Sequence, residues 1–239
     1  MGKKRYWNSE AKNVRWIREG RGNGAGKDYK PWLTVRDVPS EGRSHRIFGH
    51  LTHRTHHLLS DLELATFLLL QWRDLTTDIR EQFPLDLAIT KQLSDEAGIK
   101  HAEYYGVLQF MSSDFLVKTS DSNNHTFAIQ VKMSSALENA RTIEKLEIER
   151  RYWIEKETPW YLITEKEIPD VVFRNIDWLY SLQAQEYSLD QESRFFEFYS
   201  VQLAQNAKLT LIVNLHPKVP QGGCGQKLGL NWSKSYVFV

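Results

Sequence analysis

The two runs SSDFLV (112–117) and HTFAIQVK (125–132), separated by KTSDSNN, decide how this chain is read. Each run is rich in β-branched and aromatic residues, which suit a pleated surface, and the link is dense in turn formers. Together they predict a β-hairpin. Side chains alternate faces along a strand, so Gln130 and Lys132 point one way while Val131 turns to the core. A hairpin partner brings Asp114 alongside them. A carboxylate, an amide oxygen and an ammonium are then expected on one sheet face.

Outward from the hairpin the pattern is regular. Upstream, Leu62, Leu64, Ala65, Leu68, Leu69 and Trp72 recur at helical spacing after Ser60. TDIREQFPL (77–85) follows as a strand ending at Pro84, and the polar residues 86–109 read as an excursion from the core. Downstream, 136–157 predicts a long helix with Ile143, Leu146, Ile148 and Tyr152 apolar, and PWYLIT (159–164) a buried strand. The order helix, strand, strand, strand, helix, strand describes an α/β domain, a mixed sheet flanked by helices. Beyond residue 164, PDVVFRNIDWLYSL and QESRFFEFYSVQLAQ read as helices, then KLTLIVNL and the Gly/Pro-rich HPKVPQGGCGQ. The boundary is placed at residue 168, giving domains 1–168 and 169–239.

Residues 1–57 hold 13 Lys+Arg against 5 Asp+Glu, a net of +8, so a chain of net charge +1 leaves −7 for the remainder. With Trp7, Trp16 and Trp32 among them, these cations suit a nucleic-acid backbone, from which Lys and Arg displace condensed counterions; a solvated basic face is the other reading. The segment is expected to be mostly loop, with one short helix over 13–19. GRGNGAGKD fails as a phosphate-binding loop, because its glycine spacing is wrong and Asp28 stands where Ser or Thr is needed. His50, His53 and His56 in HLTHRTHH read as basic turn residues rather than metal ligands. Cys224 is the only cysteine, which excludes an internal disulfide or a Cys-based zinc site and suits a reducing, cytoplasmic setting. No run approaches the roughly 18 apolar residues of a membrane span, and the first residues lack the apolar core of a signal peptide.

Asp114, Gln130 and Lys132, joined by Glu63 from the upstream helix, are the set that phosphodiester hydrolysis uses. Hard oxygen donors hold Mg²⁺ or Mn²⁺, which activates water and neutralises charge on the phosphate. A neighbouring lysine positions the nucleophile and stabilises the transition state. Each residue also has a plainer reading. Ser60-Asp-Leu-Glu63 is a capping box, a role at odds with metal ligation by the same carboxylate. Asp114 reads as a turn residue and Lys132 as a strand-end solvating group. Gln130 is harder to set aside, since a strand interior buries such a group only with a partner.

The segments REGRGNGAGKDYKPWLTVRDVPSEGRSHRI, HHLLSDLELATFLLLQW, DIREQFPL, MSSDFLV, FAIQVK and EKLEIERRYWIEKETPWYLIT, in this order across roughly residues 15–180, resemble the TnsA family of transposon endonucleases. The resemblance implies a restriction-endonuclease-like fold with a smaller, mostly helical, winged-helix-like C-terminal domain. It implies that Glu63, Asp114, Gln130 and Lys132 are catalytic. It adds the Val131 carbonyl to Glu63, Asp114 and Gln130 as ligands of Mg²⁺, for which Mn²⁺ substitutes. It implies nicking of double-stranded DNA at the 5′ (non-transferred strand) ends of an element. The partners it implies are a TnsB-type DDE transposase and a TnsC-type AAA+ ATPase that contacts the C-terminal domain. Two other readings compete: a stand-alone restriction-like nuclease or junction resolvase, and a non-catalytic DNA-binding adaptor.

Overall fold

Four strands carry the site. β3 (Thr76–Pro84), β6 (Ser112–Thr119), β7 (Thr126–Val131) and β8 (Trp160–Ile163) form one sheet in the order β3-β6-β7-β8. The first two junctions are antiparallel and the last is parallel, so the sheet is mixed, as expected. The computed structural model describes residues 10–37, 43–121 and 125–180, together with Glu197.

The parallel β7–β8 junction needs a crossover, and α4 (Ala140–Glu155) provides it. The sequence predicts this helix from residue 136. Residues Ser134–Glu138 instead form a 3-10 turn, and Asn139 starts the α-helix by accepting from the Arg141 and Thr142 amides. Leu146, Ile148, Tyr152 and Trp153 are buried, whereas Ile143, expected on the apolar face, is 46% exposed.

Residues 86–109 are less of an excursion than expected. Asp86 caps α3 (Leu87–Glu96), which packs on α4. Leu93 joins Leu85, Leu116, Ala128, Tyr152 and Trp153 in one buried cluster. Within this segment the short hairpin of β4 (Glu103–Tyr104) and β5 (Val107–Leu108) forms a two-stranded sheet apart from the main one.

The N-terminal segment corrects the sequence reading further. α1 (Glu10–Arg18) is the expected helix, but the stretch read as loop and turn holds a hairpin, β1 (His45–Gly49) with β2 (Arg54–Leu58). Its turn takes His53 into the left-handed region. Pattern gave no warning, because what β2 buries besides Leu58 is charged and polar: Arg54 and His56. Glu81 of β3 receives both. The Arg54 guanidinium donates to Glu81 Oε1 at 2.7 Å and Oε2 at 2.5 Å and to the Ile79 carbonyl at 2.9 Å. His56 Nδ1 donates to the Glu81 carboxylate at 2.7 Å, and its Nε2 is hydrogen-bonded with Thr52 Oγ1 at 2.6 Å. Burial alone would raise Glu81, but His56 and Arg54 hold it down at about 2. Burial lowers His56, against the opposing pull of the Glu81 charge.

α2 (Asp61–Trp72) follows the hairpin and packs on β3 and β7. Two compact units divide the chain after Phe173. Of the second, the described residues are the remainder of α5 (Asp170–Tyr180), with Ile176 and Tyr180 buried, and Glu197. The second C-terminal helix expected from the sequence (apart from Glu197), the KLTLIVNL run, the Gly/Pro-rich break and the winged-helix-like arrangement fall outside the described residues. Among the described residues no helix is long and apolar enough to cross a membrane.

Candidate active site

The backbone ladder between β6 and β7 runs from Lys118↔Thr126 to Phe115↔Ile129 and stops there. Beyond it, side chains take over the pairing. The Asp114 amide donates to Gln130 Oε1 at 3.2 Å, and the Val131 amide donates to Asp114 Oδ2 at 2.7 Å. This is the partner that a buried Gln130 required, and it anchors Asp114 against the neighbouring strand. Val131 itself is buried. Lys132 lies one residue past the end of β7. Its Nζ donates to the Val131 carbonyl at 2.9 Å and stands 3.7 Å from Asp114 Oδ2.

Glu63 reaches the same place from α2. Its amide donates to Ser60 Oγ at 3.1 Å, Ser60 Oγ donates to Glu63 Oε1 at 3.0 Å, and the Leu59 amide donates to Glu63 Oε2 at 2.9 Å. The capping interaction is therefore present, with Leu59 rather than Ser60 supplying the backbone donor. It does not keep Glu63 from the other residues, because Oε2 also accepts from Gln82 Nε2 at 3.2 Å. The same amide nitrogen donates to Asp114 Oδ1 at 3.3 Å. Two carboxylates from different elements thus meet at one NH₂ group. Burial, and next the charge of Asp114, push Glu63 up to about 8. A cation at this point would relieve that penalty, so the donor set fits a hard divalent ion: the carboxylates of Glu63 and Asp114, the Gln130 amide oxygen and the Val131 carbonyl.

All four predicted side chains are brought together. Two others that the sequence reading did not single out share the site. Gln82 is one. Glu149 of α4 is the other: it is buried and accepts from Ser113 Oγ at 2.6 Å and Trp160 Nε1 at 2.9 Å. Burial raises it to about 8 against those two hydrogen bonds, with Asp114 adding to the rise. A signal existed for Glu149: it sits on the stripe Leu146–Glu149–Trp153, where a helix facing a core carries apolar residues. Arg150 and Arg151, by contrast, both pair with Glu147 on the outer face.

The basic segment is partly spent on structure. Arg54 is committed to Glu81, and Arg21 pairs with Asp37 at 2.7 Å and lies over the Trp16 ring. Arg18, Lys27, Arg36 and Arg46 remain exposed.

Residues 74–165 match the family model for the TnsA-like endonuclease N terminal domain, and residues 167–216 match that for the TnsA endonuclease C terminal domain. Asp114, Gln130, Val131 and Lys132 fall inside the first match, and Glu63 precedes it. The Transposon Tn7 transposition protein TnsA of Escherichia coli is 57% identical over 182 residues, covering 76% of this chain and 67% of that protein. The chain has a restriction-endonuclease-like fold and belongs to the TnsA family of transposon endonucleases.

Proposed function

We propose that this endonuclease subunit hydrolyses the phosphodiester at the 5′ ends of its element, on the non-transferred strand, with Mg²⁺ as cofactor and Mn²⁺ able to replace it. The observation that carries the reading is the meeting of Glu63 and Asp114 at one point, with Lys132 beside them. Glu63, Asp114, Gln130 and the Val131 carbonyl would hold the ion. When bound, it supplies Lewis acidity that makes water a competent nucleophile and offsets charge on the phosphate.

The chain's own groups do the rest. Lys132 keeps its side chain one-third exposed beside a nearly buried Asp114, so its ammonium meets an approaching phosphate first. There it stabilises negative charge developing on the phosphate oxygens. The Val131 amide fixes the direction of Asp114, and the Leu59 and Ser60 donors fix that of Glu63. Pre-set orientation removes an entropic cost from the reacting state.

Residues 1–168 form the catalytic domain in this reading, and exposed cations of the basic segment follow the phosphate backbone of double-stranded DNA. Residues 169–239 form the partner-binding domain. A TnsB-type DDE transposase processes the 3′ ends, and a TnsC-type AAA+ ATPase engages the C-terminal domain, in the bacterial cytoplasm. The test is strand-specific nicking of a transposon-end duplex with both partners and Mg²⁺ present. Asp114→Ala should abolish 5′-end nicking while folding and partner binding persist. Normal nicking by Asp114→Ala would refute the assignment, and cleavage by the isolated protein at its own sequence would point to a stand-alone nuclease.

A further inference from the structure

Gln82 lies within β3, two residues before its end, yet its φ is +48°, in the left-handed region that a non-glycine residue rarely adopts. Such a conformation is strained and persists only where surroundings over-determine it. Its consequence is visible in three successive side chains. Glu81 turns to Arg54 and His56 of β2, Gln82 turns to Glu63 of α2, and Phe83 packs against Trp153 of α4.

Both side-chain polar atoms of Gln82 and its backbone carbonyl are engaged. Nε2 donates to Glu63 Oε2 and Asp114 Oδ1, Oε1 accepts from Ser112 Oγ at 3.2 Å, and the backbone carbonyl accepts from the Trp32 amide at 3.2 Å. The residue is 2% exposed. With both acids ionised, an amide oxygen turned toward them would meet two acceptors, so the nitrogen is the end suited to face the site.

The geometry points to Gln82 as a positioning residue, whose amide aims the Glu63 and Asp114 carboxylates at a common cation. This rests on the proposed metal-dependent nuclease reading and deepens it. Without the amide, two neighbouring acidic groups would separate or share a proton, and an incoming ion would first have to gather them. Hydrogen-bond partners behind metal ligands are worth roughly 10–100-fold in metal affinity.

Two variants separate aiming from folding. Gln82→Leu keeps much of the volume and removes the amide. Gln82→Asn keeps an amide and suits a left-handed backbone better than Gln, but its side chain is one methylene too short to reach both carboxylates. The experiment is calorimetric titration of the full-length chain with Mn²⁺, beside its thermal unfolding in chelator. Both variants should bind Mn²⁺ about 10–100-fold more weakly, with Gln82→Asn unfolding near the wild-type temperature and nicking restored by raised Mn²⁺. Wild-type affinity in folded Gln82→Asn would overturn the inference. Tighter binding would too, since it would make the amide a competitor of the ion. If wild type binds Mn²⁺ and Asp114→Ala does not, failure of the Gln82 variants to differ condemns this inference alone. Absence of binding by wild type, even with DNA, condemns the parent reading with it.

Discussion

Replacing Arg54 with Ala tests whether the buried charge cluster holds the N-terminal hairpin on the sheet. Arg54 makes four hydrogen bonds there: two to the Glu81 carboxylate, one to the Ile79 carbonyl and one, at 3.0 Å, to the Gly26 carbonyl. Glu81 is fully buried, so Arg54→Ala leaves a carboxylate with only His56 Nδ1 and the His57 amide as donors. Removing one member of a buried ion pair costs about 3–5 kcal/mol, since the other charge stays desolvated and uncompensated. At roughly 2–4 °C per kcal/mol for a domain of this size, the melting temperature should fall by about 6–20 °C. Replacing both charges by apolar residues, Arg54→Met with Glu81→Leu, should recover much of that loss, because no orphan charge remains. By contrast the Arg43–Asp61 pair is mostly exposed, and Arg43→Ala should cost under about 0.5 kcal/mol. Chemical denaturation at constant pH and ionic strength measures all three. A loss below about 1 kcal/mol for Arg54→Ala would refute the argument, as would strict additivity in the double variant.

Glu149 should make the metal-free protein less stable as pH rises. Below its ordinary value of 4.5 both folded and unfolded chains hold the proton; between there and about 8 only the folded chain does, which favours unfolding, and above 8 the loss levels off. Urea midpoints from pH 5 to 8.5 should therefore decline, and Glu149→Gln should flatten the decline; an unchanged slope would exclude Glu149 as its source. Glu81 works in the opposite sense at the acid end: held at about 2, it contributes stability above pH 4.5 that disappears as pH falls toward 2, and Glu81→Gln should remove that acid limb. Ser60→Ala should cost about 1 kcal/mol as a lost helix cap. Because Ser60 Oγ also orients Glu63, the variant should bind Mn²⁺ more weakly too, and calorimetry showing full affinity would reduce Ser60 to a cap alone.

Much of the sheet was legible because its signals are local. SSDFLV and HTFAIQVK carry the alternation and β-branching that a half-buried hairpin needs, and PWYLIT follows a helix long enough to cross back over the sheet. The β1–β2 hairpin escaped because its inward face is charged. Arg54 and His56 read as solvent-facing until Glu81, some 25 residues further on, supplies a buried partner, and no periodicity encodes that meeting.

The site divides along the same line. Asp114, Gln130 and Lys132 lie within one hairpin, so strand geometry alone could place them. Glu63 offered two sequence roles that looked exclusive, yet a carboxylate has two oxygens and about four lone-pair directions. Oε1 accepts from Ser60 Oγ, while Oε2 accepts from the Leu59 amide and still has room for Gln82. Gln82 could not be found from the chain at all. Its role arises from one left-handed backbone angle and from two acids delivered by α2 and β6. Each acid is held by donors of its own, with the Gln82 amide between them. That arrangement explains how two acidic groups remain close in a buried site before any cation arrives, at a cost carried partly by a strained residue in the strand between them.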